Sequence, residues 1–186
     1  MNAILVLVAA LSSTVPSSGP DRAAPAEQPR LAAQRIAMKR FDWMDGRWRG
    51  EAFVVTPGGR RHIVQTERVG SMLNGTVKVI EGLGTADDGS VAFNALAIIS
   101  YDPDSGAYAF RSYAQGHAGT FVVVAEADRY TWEAPAGGNA TMRYTARREE
   151  DQWIETGDLV GKGRTPQRMF EMKLTRIGDS SWPAAR

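Results

Sequence analysis

Cysteine is absent from the 186 residues, and histidine occurs only twice. The lack of cysteine excludes disulfide bonds, cysteine-ligated zinc, thiol catalysis and attachment of a lipid to an N-terminal cysteine. A charge excess is also missing, because 22 basic side chains balance 21 acidic ones and leave a formal charge of +1. Proteins that bind phosphate backbones usually carry a clear basic excess, so nucleic acid is not the expected partner.

No hydrophobic run approaches the length of about 20 residues that a transmembrane helix needs. The apolar residues 3–11 instead fit the core of a secretory signal peptide, and Ala24-Pro25-Ala26 resembles its cleavage site, with Val15–Ser17 as another candidate. We therefore expect residues 1–26 to be a signal peptide and the protein to be exported, to the periplasm or the cell exterior. The alternative is a wrongly placed start codon followed by a disordered tail.

The remaining sequence has the composition of a soluble globular protein, with 43% hydrophobic and 23% charged residues. Residues 27–40 are interpreted as a linker and the start of a capping helix, with one or two helical turns expected over 34–44. From Arg47 onward, short segments alternate with turn residues such as Asn74-Gly75, which favours hairpins. The pattern predicts an all-β fold: a closed, antiparallel, up-and-down barrel of about ten strands over 41–177, followed by a tail, 178–186.

Period-two alternation predicts which side chains face the barrel interior. The inner faces are apolar and aromatic, and several inner positions are small: Gly50, Ala52, Ala140 and Ala146. A ten-stranded barrel is wider than the eight-stranded barrel that just holds one small ligand, so a cavity is expected. The alternative is a collapsed barrel without usable space.

The segment that opens the first strand resembles the start of calycin-superfamily barrels. Gly46-Arg47-Trp48 is the G-x-W of lipocalins, and its extension to Gly50 and Ala52 is similar to the G-x-W-x-G-x-G of nitrobindins, with Ala52 in place of the last glycine. The rest of the chain resembles secreted bacterial calycin-like domains without an assigned function. The shared segments are Ile99-Ser100-Tyr101-Asp102-Pro103 with Tyr108, Trp153-x-Glu155-x-Gly157, and Met169-Phe170-x-Met172-x-Leu174-x-Arg176.

This resemblance implies a structural role for Gly46, Trp48 and Arg176. Lipocalins place an arginine from the end of the barrel over the G-x-W tryptophan, so we expect a cation–π contact between Arg176 and Trp48 at the closed end. Nitrobindins hold haem through a histidine late in the chain. No histidine follows His117 here, so no cofactor is predicted, and no metal site is predicted because His62 and His117 lack a supporting ligand spacing.

Glu155 is the candidate for chemistry. If Trp153 faces inward, Glu155 does too, and its buried carboxylate needs a partner such as Arg111, Arg143 or Arg168, or else a raised pKa. In the alternative register, Ile154 and Val160 face inward and Glu155 lies in water. His117, in a glycine-flanked turn, is interpreted as a surface histidine that could lie at the barrel mouth.

The sequence thus favours a non-enzymatic, exported barrel that binds a small, mostly apolar molecule. The alternative function is an enzyme, of isomerase or hydrolase type, that uses Glu155 or His117 as acid or base in the same cavity. The sequence does not say whether the barrel forms a homodimer. The predicted ligand-binding side chains are Glu155, Trp153, Tyr144, Met142, Trp132, Tyr113 and His117.

Overall fold

The computed structural model describes residues 27–182, so the predicted signal peptide, 1–26, lies outside the described residues, as do residues 183–186. A helix, α1 (Glu27–Met38), continues into a 3-10 helix (Lys39–Met44) and is followed by ten strands. The strands are β1 (Gly46–Thr56), β2 (Gly59–Met72), β3 (Val77–Thr85), β4 (Val91–Asp102), β5 (Ala107–Ala114), β6 (His117–Ala125), β7 (Arg129–Pro135), β8 (Ala140–Glu149), β9 (Gln152–Gly161) and β10 (Gln167–Gly178).

The strands form a closed barrel in which every strand pairs with its neighbours in sequence and β1 pairs with β10. All pairings are antiparallel, which the short hairpins require. The predicted ten-stranded, up-and-down barrel is therefore confirmed. No helix within residues 27–182 has the length and apolar character needed to cross a bilayer.

The helical segment before the barrel is longer than predicted, because α1 already begins at Glu27. Pro29 lies in the first turn, where a helix tolerates proline, and the residues that follow are good helix formers. The helix is also held to the barrel wall: Arg30 bonds to Asp102 (2.8 Å), and Gln34 donates to the backbone carbonyl of Tyr101 (3.1 Å). The turn-rich composition before residue 34 concealed this docked helix.

The 3-10 helix closes one end of the barrel, as expected for a capping helix. Phe41 and Met44 are completely buried there. The ring of Phe41 meets the edge of Tyr130 at a centroid distance of 5.8 Å, and Trp43 meets Trp153 at 5.7 Å. The opposite end carries the hairpins that join β1 to β2, β3 to β4, β5 to β6, β7 to β8 and β9 to β10.

A buried lysine holds this 3-10 helix (Lys39–Met44), called the plug below, to the barrel. Lys78 of β3 is 0% exposed, and its ammonium group donates to Asp45 (2.6 Å), Asp42 (3.2 Å) and Ser71 (2.7 Å). Both aspartates belong to the 3-10 helix or its C-terminal end and keep one side in water. A buried ammonium group is costly unless it is paired, so these three acceptors are what permit Lys78 to lie inside.

The G-x-W motif packs against the same plug. Trp48 is buried, donates its indole N–H to the carbonyl of Met44 (2.8 Å) and meets Trp153 edge-to-face at 5.9 Å. Gly50 is required by the seam between β1 and β10, since a Cβ atom there would lie 2.0 Å from the carbonyl oxygen of Lys173. The glycine of the extended motif thus permits the close approach that shuts the barrel.

The predicted pairing of Trp48 with Arg176 is confirmed as a register, but the predicted cation–π contact is wrong. Arg176 instead directs its guanidinium group to the carbonyl of Asp45 (3.2 Å) and to the carboxylate of Asp179 (2.6 Å). Gly46 accommodates it, because a Cβ atom at Gly46 would lie 2.8 Å from Nε of Arg176. The cation–π contact at this end joins Arg68 to Trp182, at 4.0 Å, and so packs the described part of the tail against β2.

Candidate ligand site in the barrel interior

The structure places five of the seven predicted ligand-binding side chains on the inner face of the barrel. Burial of Ala146 and Trp153 fixes the alternation of β8 and β9. The five residues that it directs inward are Glu155, Trp153, Tyr144, Met142 and, through pairing with Tyr144, Trp132.

The other two predicted residues do not join them. Tyr113 lies on the outer face of β5 and is 46% exposed. His117 begins β6 at the hairpin of the open end and is exposed. Both line a groove at the open end of the barrel, together with Glu81, Leu96 and the inward Ala95. None of the five interior residues lines this groove.

A stack of aromatic rings forms one wall of the interior. Trp132 lies parallel to Tyr144 (centroids 4.2 Å apart, 11° between planes) and to Phe110 (4.8 Å, 17°). Phe121 and Phe170 extend the wall at its two sides. Four of these inward rings, those of Trp132, Tyr144, Phe121 and Phe170, are only half-buried.

Two carboxyl groups lie in this interior. The β1–β2 hairpin pairs Thr56 with Gly59, and the same register sets Glu67 opposite the inward Trp48. Glu67 is 9% exposed and accepts a hydrogen bond from Nε2 of Gln65 (2.7 Å). Glu155 enters from β9, between the buried residues Trp153 and Gly157. It is surrounded by protein but keeps part of its surface accessible, as expected for a group that lines internal space.

Burial raises the pKa of both carboxyl groups. It raises the pKa of Glu67 to about 8; the hydrogen bond from Gln65 opposes this, and the charges of Glu155 and Glu81 add to it. It raises the pKa of Glu155 to about 7, while the indole of Trp153 favours the charged form. Nε1 of Trp153 is nevertheless buried without a partner that meets both the distance and the angle of a hydrogen bond. Both carboxyl groups therefore stay protonated to a higher pH than a glutamate in water.

Tyr130 is a third titratable group of the interior, and its ring packs against Phe41 and Trp43 of the 3-10 helix. Its side chain is 2% exposed, and burial, followed by the charges of Glu155 and Glu67, raises its pKa well above the usual value. The hydroxyl group therefore remains protonated and is a hydrogen-bond donor.

None of the arginines expected to pair with Glu155 does so. Arg143 bonds to Glu133 (2.6 Å), Arg168 bonds to Asp158 (2.6 Å), and Arg111 contacts Thr120 (3.4 Å). All three lie on the outer face: strand alternation directs Arg111 and Arg143 outward, and a register shift between Arg168 and Phe170 pairs Arg168 with the outward Asp158. The carboxyl group is stabilised by protonation rather than by an ion pair.

A glycine makes room for the second carboxyl group. A Cβ atom at Gly82 of β3 would lie 2.8 Å and 2.9 Å from the two carboxyl oxygens of Glu67. Glu67 therefore rests directly on the backbone of β3, and any larger residue at position 82 would displace it.

Sequence reasoning missed Glu67 and Gln65, and it placed Tyr130 on the face of Trp132 without assigning it a role. One signal was available: if the turn at Pro57-Gly58 is a two-residue hairpin, an inward Trp48 fixes an inward Glu67. This signal is weak because β2 is polar on both faces. Gln65 and Glu67 lie on the inner face and Thr66 and Arg68 on the outer face, so residue type does not distinguish the two.

Comparison with known proteins supports the architecture. The crystal structure of Rv2717c from M. tuberculosis superposes on this chain with a TM-score of 0.57 and 12% sequence identity, covering 76% of this chain and 97% of that one. The two chains share a fold. A closed antiparallel barrel of this kind fits a calycin-like fold, and at 12% identity the likeness extends no further than the fold. No protein-family model matches the sequence, and no curated protein matches it significantly.

Proposed function

We propose that the barrel binds a small, mostly apolar molecule in its interior. The observation that carries this proposal is the aromatic wall of Trp132, Tyr144 and Phe121, whose rings face inward and are still partly accessible. Binding sites for small molecules are concave, mostly apolar and furnished with a few polar groups that fix orientation. Glu67 and Glu155 are such groups. We also propose, from the apolar residues 3–11 alone, that the protein acts outside the cytoplasm.

Filling the interior tests the site of binding. Ala95 of β4 points inward, pairs with Gly82 and is partly accessible, whereas the next residue, Leu96, lies on the outer face. We expect Ala95→Phe to weaken binding of the neutral dye Nile red at least tenfold and Leu96→Phe to leave it within twofold. Equal binding to the folded Ala95→Phe variant would place the dye outside the barrel and contradict the proposal.

The natural ligand is accessible through native mass spectrometry of protein purified from its own host. We expect a molecule of low mass to accompany the native chain and to be lost from Ala95→Phe. A chain that is repeatedly empty and also fails to bind the dye would count against a binding function.

A second candidate function is catalysis by the carboxyl pair. Glu155 has a pKa of about 7 and an accessible face, which suits a general acid or base. Tyr130 would supply a neutral donor beside it. If the protein is an enzyme, the molecule that accompanies the native chain should be converted over time to a product of different mass. It also predicts that Glu155→Gln binds the molecule but leaves it unchanged.

A further inference from the structure

A second concave site lies outside the barrel, between α1 and the wall against which it packs. It is a groove of about 710 Å³, called the helix groove below. This volume falls within the range of roughly 300–1,000 Å³ that is typical of small-molecule sites. None of the seven predicted ligand-binding side chains lines it, so it is separate from the interior. Its apolar and aromatic lining comes from α1, two strands and the β6–β7 turn: Ala33, Ile36, Ala37, Tyr101, Tyr108 and Ala127.

The helix side of the groove follows from the sequence of α1. Ala33, Ile36 and Ala37 are spaced three and four residues apart and therefore share one face of the helix. The two alanines are short, so they leave space between the helix and the barrel. Ile36 is 70% exposed, which leaves a large apolar side chain in water at the edge of that space.

The barrel side of the groove is formed by two tyrosines that are fixed to the helix. Tyr101 of β4 and Tyr108 of β5 are directly paired, and their ring centroids are 4.8 Å apart. The hydroxyl group of Tyr108 donates to the carbonyl of Ala37 (3.0 Å), and the carbonyl of Tyr101 accepts from Gln34 (3.1 Å). Because both walls are held together in this way, binding would require little ordering of the chain.

Two basic side chains, Lys39 and Arg40, complete the lining. Both are exposed, and neither belongs to an ion pair within residues 28–182. Arg40 donates a long hydrogen bond to the carbonyl of Ala125 (3.4 Å). The acidic residues on either side of Ala127, Glu126 and Asp128, do not line the groove. Apolar surface edged by two uncompensated positive charges complements an anion with an apolar body.

Two other occupants fit this surface less well. A membrane surface requires apolar side chains that protrude, but of the large side chains in the lining only Ile36 does so, and both tyrosines are half-buried. A second copy in a two-fold contact would present the same surface to itself. That contact would bring two sets of Lys39 and Arg40 charges together, and like charges repel.

We infer that the helix groove binds a small organic anion, with its apolar body against Tyr101 and Tyr108 and its charge facing Lys39 and Arg40. This inference goes beyond the proposed function, because the site lies outside the barrel and does not require the interior to bind anything. The ammonium and guanidinium N–H groups donate to the oxygens of the anion. A carboxylate suits them, since it accepts hydrogen bonds from both kinds of donor.

Two matched probes test the charge: 2-naphthoate and 2-naphthylmethanol, which share an apolar body. In calorimetric titrations of the full chain, we expect naphthoate to bind at least tenfold more tightly than the alcohol at low ionic strength. Salt at about 0.5 M should remove most of the difference, because it screens exposed charges. In Lys39→Gln/Arg40→Gln the two probes should bind within threefold of each other. Arg35→Gln/Lys173→Gln removes the same charge at positions outside the groove and should retain the full preference.

Filling the groove tests the location. Ala33→Phe should weaken naphthoate binding at least tenfold and leave Nile red binding within twofold, whereas Ala95→Phe, in the barrel, should do the opposite. Naphthoate that binds the unmodified chain no more tightly than the alcohol, or that is lost from Ala95→Phe and kept by Ala33→Phe, would overturn the inference and leave the proposed function intact.

The remaining outcomes concern the other occupants and the interior. Binding to phosphatidylglycerol vesicles without binding of naphthoate would assign the groove to a membrane and overturn the inference. A dimer that Ala33→Phe abolishes, again without naphthoate binding, would assign it to a second copy with the same result. Naphthoate binding in the predicted pattern by a chain that does not bind Nile red would support the helix groove and count against the interior site.

Discussion

The raised pKa of the Glu67 carboxyl group leads to a prediction about stability that does not depend on any ligand. In the folded chain its pKa is about 8, against an ordinary value of 4.5. Between these values the folded state binds more protons than the unfolded state, so the free energy of unfolding must fall as the pH rises. The folded barrel is thus most favoured below the unfolded pKa, and this contribution is lost as the pH rises through about 8. Glu67→Gln removes the titration and should stabilise the protein at high pH.

The size of the effect follows from linkage. A pKa difference of one corresponds to about 1.4 kcal/mol. Over the interval from pH 5 to pH 8, a carboxyl group displaced from 4.5 to about 8 costs the folded state on the order of 3 kcal/mol. A typical domain is stable by only about 5–15 kcal/mol, so the loss should be easily measured.

Urea unfolding at pH 5, 6, 7 and 8 provides the measurement. The free energy of unfolding of the unmodified chain should decline across this range, and Glu67→Gln should remove about half of the decline, with Glu155→Gln removing much of the rest. Glu51→Gln, on the outer face, should follow the unmodified chain. A decline of the same size in Glu67→Gln as in the unmodified chain would refute the reasoning, because the group would then be ionised in water in both states.

Three further substitutions test the closed end and the seam, each by urea unfolding. Gly50→Ala should cost about 1–3 kcal/mol or more, since the added Cβ would lie 2.0 Å from the Lys173 carbonyl, whereas Gly58→Ala, with no contact under 3.7 Å, should cost less than about 1 kcal/mol; equal costs would contradict the seam. Lys78→Met should lower the free energy of unfolding by about 1–3 kcal/mol, because its hydrogen bonds are lost. The control Lys173→Met, at an exposed position, should change it little. An unchanged free energy of unfolding in Lys78→Met would mean that packing alone holds the plug. Trp48→Ala should cost about 3–5 kcal/mol as a buried aromatic ring is removed, and a cost under about 1 kcal/mol would exclude its place in the core.

The barrel was predictable because the sequence signals that specify it are local. Turn dipeptides such as Asn74-Gly75 and Pro57-Gly58 punctuate segments with a period of two, and hairpins of this length allow only antiparallel neighbours. The helix before residue 34 was not predictable in the same way. It depends on Arg30 and Gln34 meeting the β4–β5 region, contacts that join residues about 70 positions apart and leave no periodic trace.

The candidate site was likewise predictable only where the sequence signal is local. Glu155 follows from its own strand, because Trp153, two residues before it, reports the face on which both lie. Its environment does not follow, since it depends on which residues of β2 and β7 arrive across the barrel. The partners proposed for it from sequence fail because alternation places Arg111 and Arg143 on the outer face and a register shift before Phe170 places Arg168 there. Glu67 and Tyr130 come near it only after closure.

The seam between β1 and β10 has a consequence for how the molecule is made. It joins the first strand to the last: Arg176 bonds to a residue 131 positions earlier in the chain. Until residues 167–178 have been synthesised, the outer edges of β1 and β9 lack the strand that pairs with both of them. Unpaired edges invite association between chains, and pairing across so long a loop is slow. Residues 167–178 therefore decide whether a newly made chain closes its barrel or leaves two strand edges open to other chains.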